Sequence, residues 1–130
     1  MGYEKKDVVI FIGDDAKFTQ RVLKDALVAE GYTNILAAYS GSDVLELFKV
    51  SSPDVVLLDI NMPDGDGIST LIKIRERSPK TICIIVSVLN QEVIMEKAIK
   101  HGAFRYITKP FKKEQVVQAV NDALASKYGS

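Results

Sequence analysis

Cysteine is almost missing from this chain. Cys83 is the only one, set inside an apolar run, so no internal disulfide can form and the expectation is a small buried hydrophobe in a reducing compartment. Tryptophan is absent, and histidine occurs once, at His101, where no paired base accompanies it; it reads as solvated surface in the last turn of a helix. No apolar stretch approaches the roughly 20 residues of a membrane span. The opening Met1-Gly2-Tyr3-Glu4-Lys5-Lys6 has no apolar signal core, and Lys6 stands where a myristoylation signal calls for Ser or Thr. Neither sign of charge dominates, since 17 Lys and Arg face 17 Asp and Glu, which excludes a general nucleic-acid binder with its basic excess. These absences predict a cytoplasmic protein with no membrane and no direct nucleic-acid partner.

The 130 residues fit one domain, and no linker rich in Pro, Gly or Ser divides them; with 47% hydrophobic and 26% charged residues the composition is that of a packed globular chain. Five short apolar runs read as buried strands: Val8 to Ile12, Ile35 to Ala38, Val55 to Leu58, Ile82 to Val86, and Tyr106 to Ile107. Helical spacing fills the intervals. Phe18, Val22, Leu23, Ala26 and Leu27 share one face of a first helix that Glu30-Gly31 ends. Ser40 caps a second, with Val44, Leu45, Leu47 and Phe48 turned inward. Ile68, Leu71, Ile72 and Ile74 define a third; a fourth, about Gln91 to His101, buries Val93, Ile94, Ala98 and Ile99; the last carries Val116, Val117, Val120, Ala123 and Leu124. Strict alternation of strand and helix predicts an α/β fold: a single doubly wound domain over residues 1–130, with a parallel sheet and helices on both faces.

Four of the strand runs end in a reactive polar residue: Asp14 and Asp15, then Asp59, then Ser87, then Lys109. In a parallel sheet those carboxyl ends share one edge, so residues far apart in sequence converge on one pocket. Adjacent carboxylates beside a third repel one another unless a cation joins them, and oxygen donors without a Cys or His pair suit a hard ion such as Mg²⁺. Lys109 adds a point positive charge and Ser87 a hydroxyl, completing equipment for moving a phosphoryl group onto a carboxylate. Taken singly, Asp15 fits a helix cap, Lys109 a solvated loop residue and Ser87 a cap of the fourth helix. Their coincidence at one edge favours the chemistry.

On these residues the chain resembles the receiver domain of two-component response regulators, from Val8 to about Ser126. The acidic pair Asp14-Asp15, the stretch Leu57-Leu58-Asp59-Ile60-Asn61-Met62-Pro63-Asp64-Gly65-Asp66-Gly67, the Ser87 position and Lys109-Pro110 match the family's motifs in order and spacing. The resemblance implies a flavodoxin-like sheet in the order 2-1-3-4-5, for which a chemotaxis receiver is a known example. It implies that Asp59 accepts a phosphoryl group from the histidine of a sensor kinase or phosphotransfer protein. Asp14, Asp15, Asp59 and the backbone carbonyl of Asn61 would then hold Mg²⁺. It further implies that Ser87 and Tyr106 are switch residues that alter the surface of the fourth helix, fifth strand and last helix for a downstream effector protein. The class implied is a signalling protein, monomeric or dimerising on phosphorylation, that promotes its own phosphorylation without being a conventional enzyme.

Three positions depart from the common pattern. Val88 follows Ser87 where a small residue is usual, which predicts narrower access to Asp59. Ser87 replaces the more frequent Thr, and Gly13 replaces an apolar residue, which predicts a looser end to the first strand. Gly65 and Gly67 read as turn formers around Met62-Pro63. Two other classes compete with the signalling one. An Asp-nucleophile phosphatase of the haloacid dehalogenase type wants an acid two positions after the nucleophile, where Asn61 stands. The other is a receiver-like docking or dimerisation module that has no need of phosphate.

Overall fold

The four-residue run Val55–Leu58 has no polar side chain, so it belongs where both faces of a strand are covered, and it forms β3 at the centre of the sheet. In the computed structural model, which describes residues 2–64 and 66–129, β3 is flanked by β1 (Val9–Gly13) and β4 (Ile82–Ser87). The edges are β2 (Asn34–Ala38) and β5 (Ala103–Thr108). All four pairings are parallel, in the order β2-β1-β3-β4-β5 that the resemblance implied. The helices are α1 (Lys17–Glu30), α2 (Gly41–Leu47), α3 (Gly67–Arg77), α4 (Glu92–Lys100) and α5 (Lys113–Tyr128).

Side chains alternate across the sheet and so build two cores. Ile10, Ile12, Leu57, Ile84 and Val86 pack under α1 and α5 with Leu23, Leu27, Val116, Val120 and Leu124. Phe11, Val56, Leu58, Cys83 and Ile85 pack under α2, α3 and α4 with Val44, Ile68, Leu71, Ile74 and Ala98. The Cys83 thiol is fully buried, which pushes its pKa up to about 12 and leaves it a hydrophobe, as expected. Helix ends follow local chemistry: the Ser40 hydroxyl accepts from the amide of Asp43, Asp66 accepts from Ile68, and Gly31 closes α1 in the left-handed conformation.

Three expectations about packing are corrected. Phe18 is 79% exposed, because the buried face of α1 runs through Gln20, Leu23, Ala26 and Leu27, and a residue five positions before Leu23 points well away from it. On α4, Val93 and Ile99 are exposed, while Ala98 is buried and Ile94 packs partly buried against the core, so the helix rests on the sheet through fewer residues than expected. Gly13 does not loosen β1: it stays paired with Ala38 on one side and Leu58 on the other. A β-carbon there would lie 2.6 Å from Val44 Cγ2, so the glycine is what lets α2 approach the strand. Gly67 likewise admits Ile60, whose backbone would stand 2.2 Å from an added β-carbon, whereas Gly65 lies outside the described residues.

Candidate functional site

Parallel register carries the ends of β1, β3, β4 and β5 to one edge, and the side chains there meet as the alternation demanded. Asp14 and Asp59 are 1% and 4% exposed, and the Lys109 ammonium bridges them, at 2.7 Å from Asp14 Oδ2 and 3.0 Å from Asp59 Oδ2. The remaining oxygens are held by backbone donors: Ala16 N–H donates to Asp14 Oδ1 at 2.9 Å and Asn61 N–H to Asp59 Oδ1 at 2.7 Å. Asp15 is exposed and offers its carboxylate from the rim; it does not cap α1, whose N-cap residue is Ala16. Carboxylate oxygens of Asp14, Asp15 and Asp59 all lie within 4.8 Å of one another.

The electrostatics follow from two buried carboxylates sharing one ammonium, with a third carboxylate close by. Burial raises the Asp14 pKa above its ordinary value, against the opposing pull of Lys109 and the Ala16 amide. Burial works to discharge Lys109 as well, yet the hydrogen bonds it donates to both carboxylates, with their charge, outweigh burial and hold the ammonium above its usual pKa. The asymmetry is physical: the one lysine has two partners, while each acid has half a lysine. A hard divalent cation bound by oxygen ligands fits such a donor set.

Ser87 and Tyr106 are joined through one residue, Leu89. The buried Ser87 hydroxyl accepts from Leu89 N–H at 3.3 Å, and the Tyr106 hydroxyl donates to the Leu89 carbonyl at 2.5 Å. Ser87 therefore does not cap α4, whose N-cap is Gln91. Tyr106 is half-buried, and burial raises its phenol pKa, so it remains a donor. Val88, between them in sequence, is 52% exposed.

Two supporting residues escaped the sequence reasoning. Gln20 lies three and seven positions before Leu23 and Leu27, so a polar residue in phase with the apolar face was the available signal. Asp64 left no local signal: its carboxylate accepts from the backbone amides of Gly41 and Ser42, at 3.1 and 3.2 Å, fastening the loop after β3 to the start of α2. Those two amides lower its pKa.

A family model for the response regulator receiver domain matches residues 10–121. The chemotaxis protein CheY of Bacillus subtilis is 37% identical over 115 residues, spanning 88% of this chain and 96% of that one. A solved CheY-like receiver domain protein of Methanospirillum hungatei superposes with a TM-score of 0.87, at 24% identity, over 92% of this chain and 95% of that one, a likeness of fold. A chain in the CheX-CheY-BeF3-Mg²⁺ complex of Borrelia burgdorferi gives a TM-score of 0.84 at 31% identity, covering 90% of this chain and 89% of that one. The chain belongs to the response regulator receiver family and is a CheY-like domain of two-component signalling. Among the described residues, no helix is long and apolar enough to cross a membrane.

Proposed function

We propose that the chain is a single receiver domain over residues 1–130, working in the cytoplasm, in which Asp59 is the phosphoacceptor. A sensor histidine kinase or a phosphotransfer protein would be the donor. The observation that carries this is the Lys109 ammonium set between Asp14 and Asp59 at the carboxyl edge of the sheet, with Asp15 beside them. In the transfer, the bond between the donor imidazole nitrogen and phosphorus breaks as an Asp59 carboxylate oxygen bonds to phosphorus, and the imidazole departs with the electron pair. Attack by water on the acyl phosphate reverses the modification.

The protein's own contribution is placement and charge. Asn61 N–H and Lys109 orient the Asp59 carboxylate before the donor arrives, and Lys109 then offsets negative charge on the phosphoryl oxygens. Asp14, Asp15, Asp59 and the backbone carbonyl of Asn61 would hold Mg²⁺, which when bound supplies electrostatic stabilisation of the charge spread over the transferring group. The Borrelia complex, with its Mg²⁺ and beryllofluoride, supports that choice of cation.

Ser87 would turn its hydroxyl to the new phosphoryl group, giving up the Leu89 amide and so disturbing the peptide that Tyr106 holds from the other side. The surface of α4, β5 and α5 would change for an effector protein, or for a second copy, as a local charge change biases a two-state element. The seat of α4, limited to Ala98 and the partly buried Ile94, would make that face the easily shifted one. Incubation with Mg²⁺ and acetyl phosphate should add the mass of one phosphoryl group, acid-stable and base-labile, and Asp59→Asn should abolish it; an unmodified wild type, or a modified Asp59→Asn, refutes the assignment. Ser87→Ala should still be phosphorylated yet lose phosphorylation-dependent effector binding.

A further inference from the structure

The acidic residues at the end of β1 face a mechanical difficulty. The loop from Asp14 to Ala16 begins directly after a glycine, and α1 starts from Ala16 with no capping side chain at that position. Each carboxylate oxygen of Asp14 already accepts one hydrogen bond, Oδ1 from Ala16 N–H and Oδ2 from the Lys109 ammonium, and neither of these ties the loop to the body of α1. Its backbone is nevertheless fixed at both ends. Asp14 N–H donates to the Ala38 carbonyl at 3.0 Å, and the Asp14 carbonyl accepts from Gln20 Nε2 at 3.1 Å.

Gln20 does more than that single bond. From the first turns of α1 its amide nitrogen also reaches the carbonyl of Ile12 at 2.9 Å and that of Ala38 across on β2 at 2.8 Å. One side chain, 6% exposed, thus pins the last residues of β1, the start of the acidic loop and the neighbouring strand to the helix that follows. Buried carbonyls demand donors, but a water or a hydroxyl would satisfy one or two of them without tying the loop to α1. Three backbone carbonyls converging on one rigid amide is the arrangement of a strut.

We propose that Gln20 is the positioning residue of the acidic cup, presetting the Asp14-Asp15 pair for the divalent cation by locking the Asp14 peptide. The proposal rests on the metal-holding role given above to Asp14 and Asp15. Partners that orient metal ligands typically contribute 10–100-fold to affinity, so Gln20→Met, which keeps the volume and removes the donors, should weaken Mg²⁺ binding about tenfold in calorimetric titration. The rate of phosphorylation by acetyl phosphate should fall at low Mg²⁺ and return to within about twofold of wild type at saturating Mg²⁺, because the chemistry itself is untouched.

Thr81→Val is the control for simple loss of stability: the Thr81 hydroxyl donates to the Pro53 carbonyl, away from the acidic edge, and its loss should leave Mg²⁺ affinity unchanged. Unchanged affinity in Gln20→Met beside a binding wild type overturns the strut while leaving the site intact. A rate loss that saturating Mg²⁺ fails to restore reduces Gln20 to maintenance of the fold and also overturns it. A wild type that does not bind Mg²⁺ at all removes the metal-site assignment and this proposal together. Should Gln20→Met not fold, the wild type decides: the Gln20 side-chain amide resonances should shift during Mg²⁺ titration with the midpoint of the site, and resonances that stay still refute the proposal.

Discussion

At the amino-terminal edge of the sheet, Asp54 accepts hydrogen bonds from Val9 N–H at 2.9 Å, Lys127 Nζ at 3.0 Å and Tyr128 Oη at 2.6 Å. At the carboxyl edge, Asp14 and Asp59 divide a single ammonium between them, with the Asp15 carboxylate nearby. Each cluster joins carboxylate to a lysine away from bulk water, yet the pKa values of Asp54 and Asp14 move in opposite directions. Burial would raise Asp54, but its donors outweigh burial and hold it below the ordinary 3.8; Asp14 is raised above that value. A carboxylate supplied with three donors is a fastening, here tying the end of α5 to the start of β1 and β3. Carboxylates short of positive charge repel one another, and a donor set of that kind could hold a metal ion.

The largest test of that contrast is Lys109→Met. It leaves two buried acids unpaired, which should cost about 3 kcal/mol in Mg²⁺-free thermal unfolding, with added Mg²⁺ restoring much of the loss. Next comes Asp54→Ala, which strands three donors and should cost about 2 kcal/mol with no response to Mg²⁺. Asp14→Asn should do the reverse without Mg²⁺, raising stability by about 1 kcal/mol because a charge held at a disadvantage is removed. A destabilised Asp14→Asn would erase the distinction between the two edges.

Acid sharpens the comparison. The folded pKa of Asp14 is raised, so its cost is present at neutral pH and is relieved as pH falls through that value; the advantage of Asp14→Asn should therefore shrink on acidification from pH 7. The folded pKa of Asp54 is depressed, so its stabilisation is present above 3.8 and disappears only as pH falls through the lower folded value. Denaturant midpoints for the three proteins across this range check both signs. The smallest effect belongs to Val88→Ala: trimming the exposed residue beside Ser87 should shorten the acyl phosphate lifetime about twofold to threefold, on the order of 0.5 kcal/mol, read by mass spectrometry over time.

Much of the fold was legible because its signals are local. Val55–Leu58 read as a buried strand from its unbroken apolar run, its central place coming from the order the resemblance implied, and Ser40 and Gly31 mark helix ends through hydrogen bonds within a few residues. Of the site, Asp14, Asp59 and Lys109 were readable because each follows a strand whose carboxyl end has one possible edge to reach. Asp54 was not, since Lys127 and Tyr128 lie more than seventy residues away on α5. The Phe18 error has the same origin. Hydrophobicity alone puts Phe18 inside, but the carbonyls of Ile12, Asp14 and Ala38 reward an amide at Gln20 and turn the helix accordingly.

What the amino-acid order determined unaided is the rhythm of strands and helices and the chemical identity of the residues at the strand ends, because periods of 2 and 3.6 and the conformational limits of Gly, Pro and Ser act within a few residues. Only the assembled sheet decided which acid of the Asp14-Asp15 pair is buried against Lys109, which carboxylate is saturated with donors, and that Ser87 and Tyr106 meet at Leu89. Those outcomes depend on the supply of donors and the loss of water at each place, and both are set by parts of the chain that become neighbours only on folding.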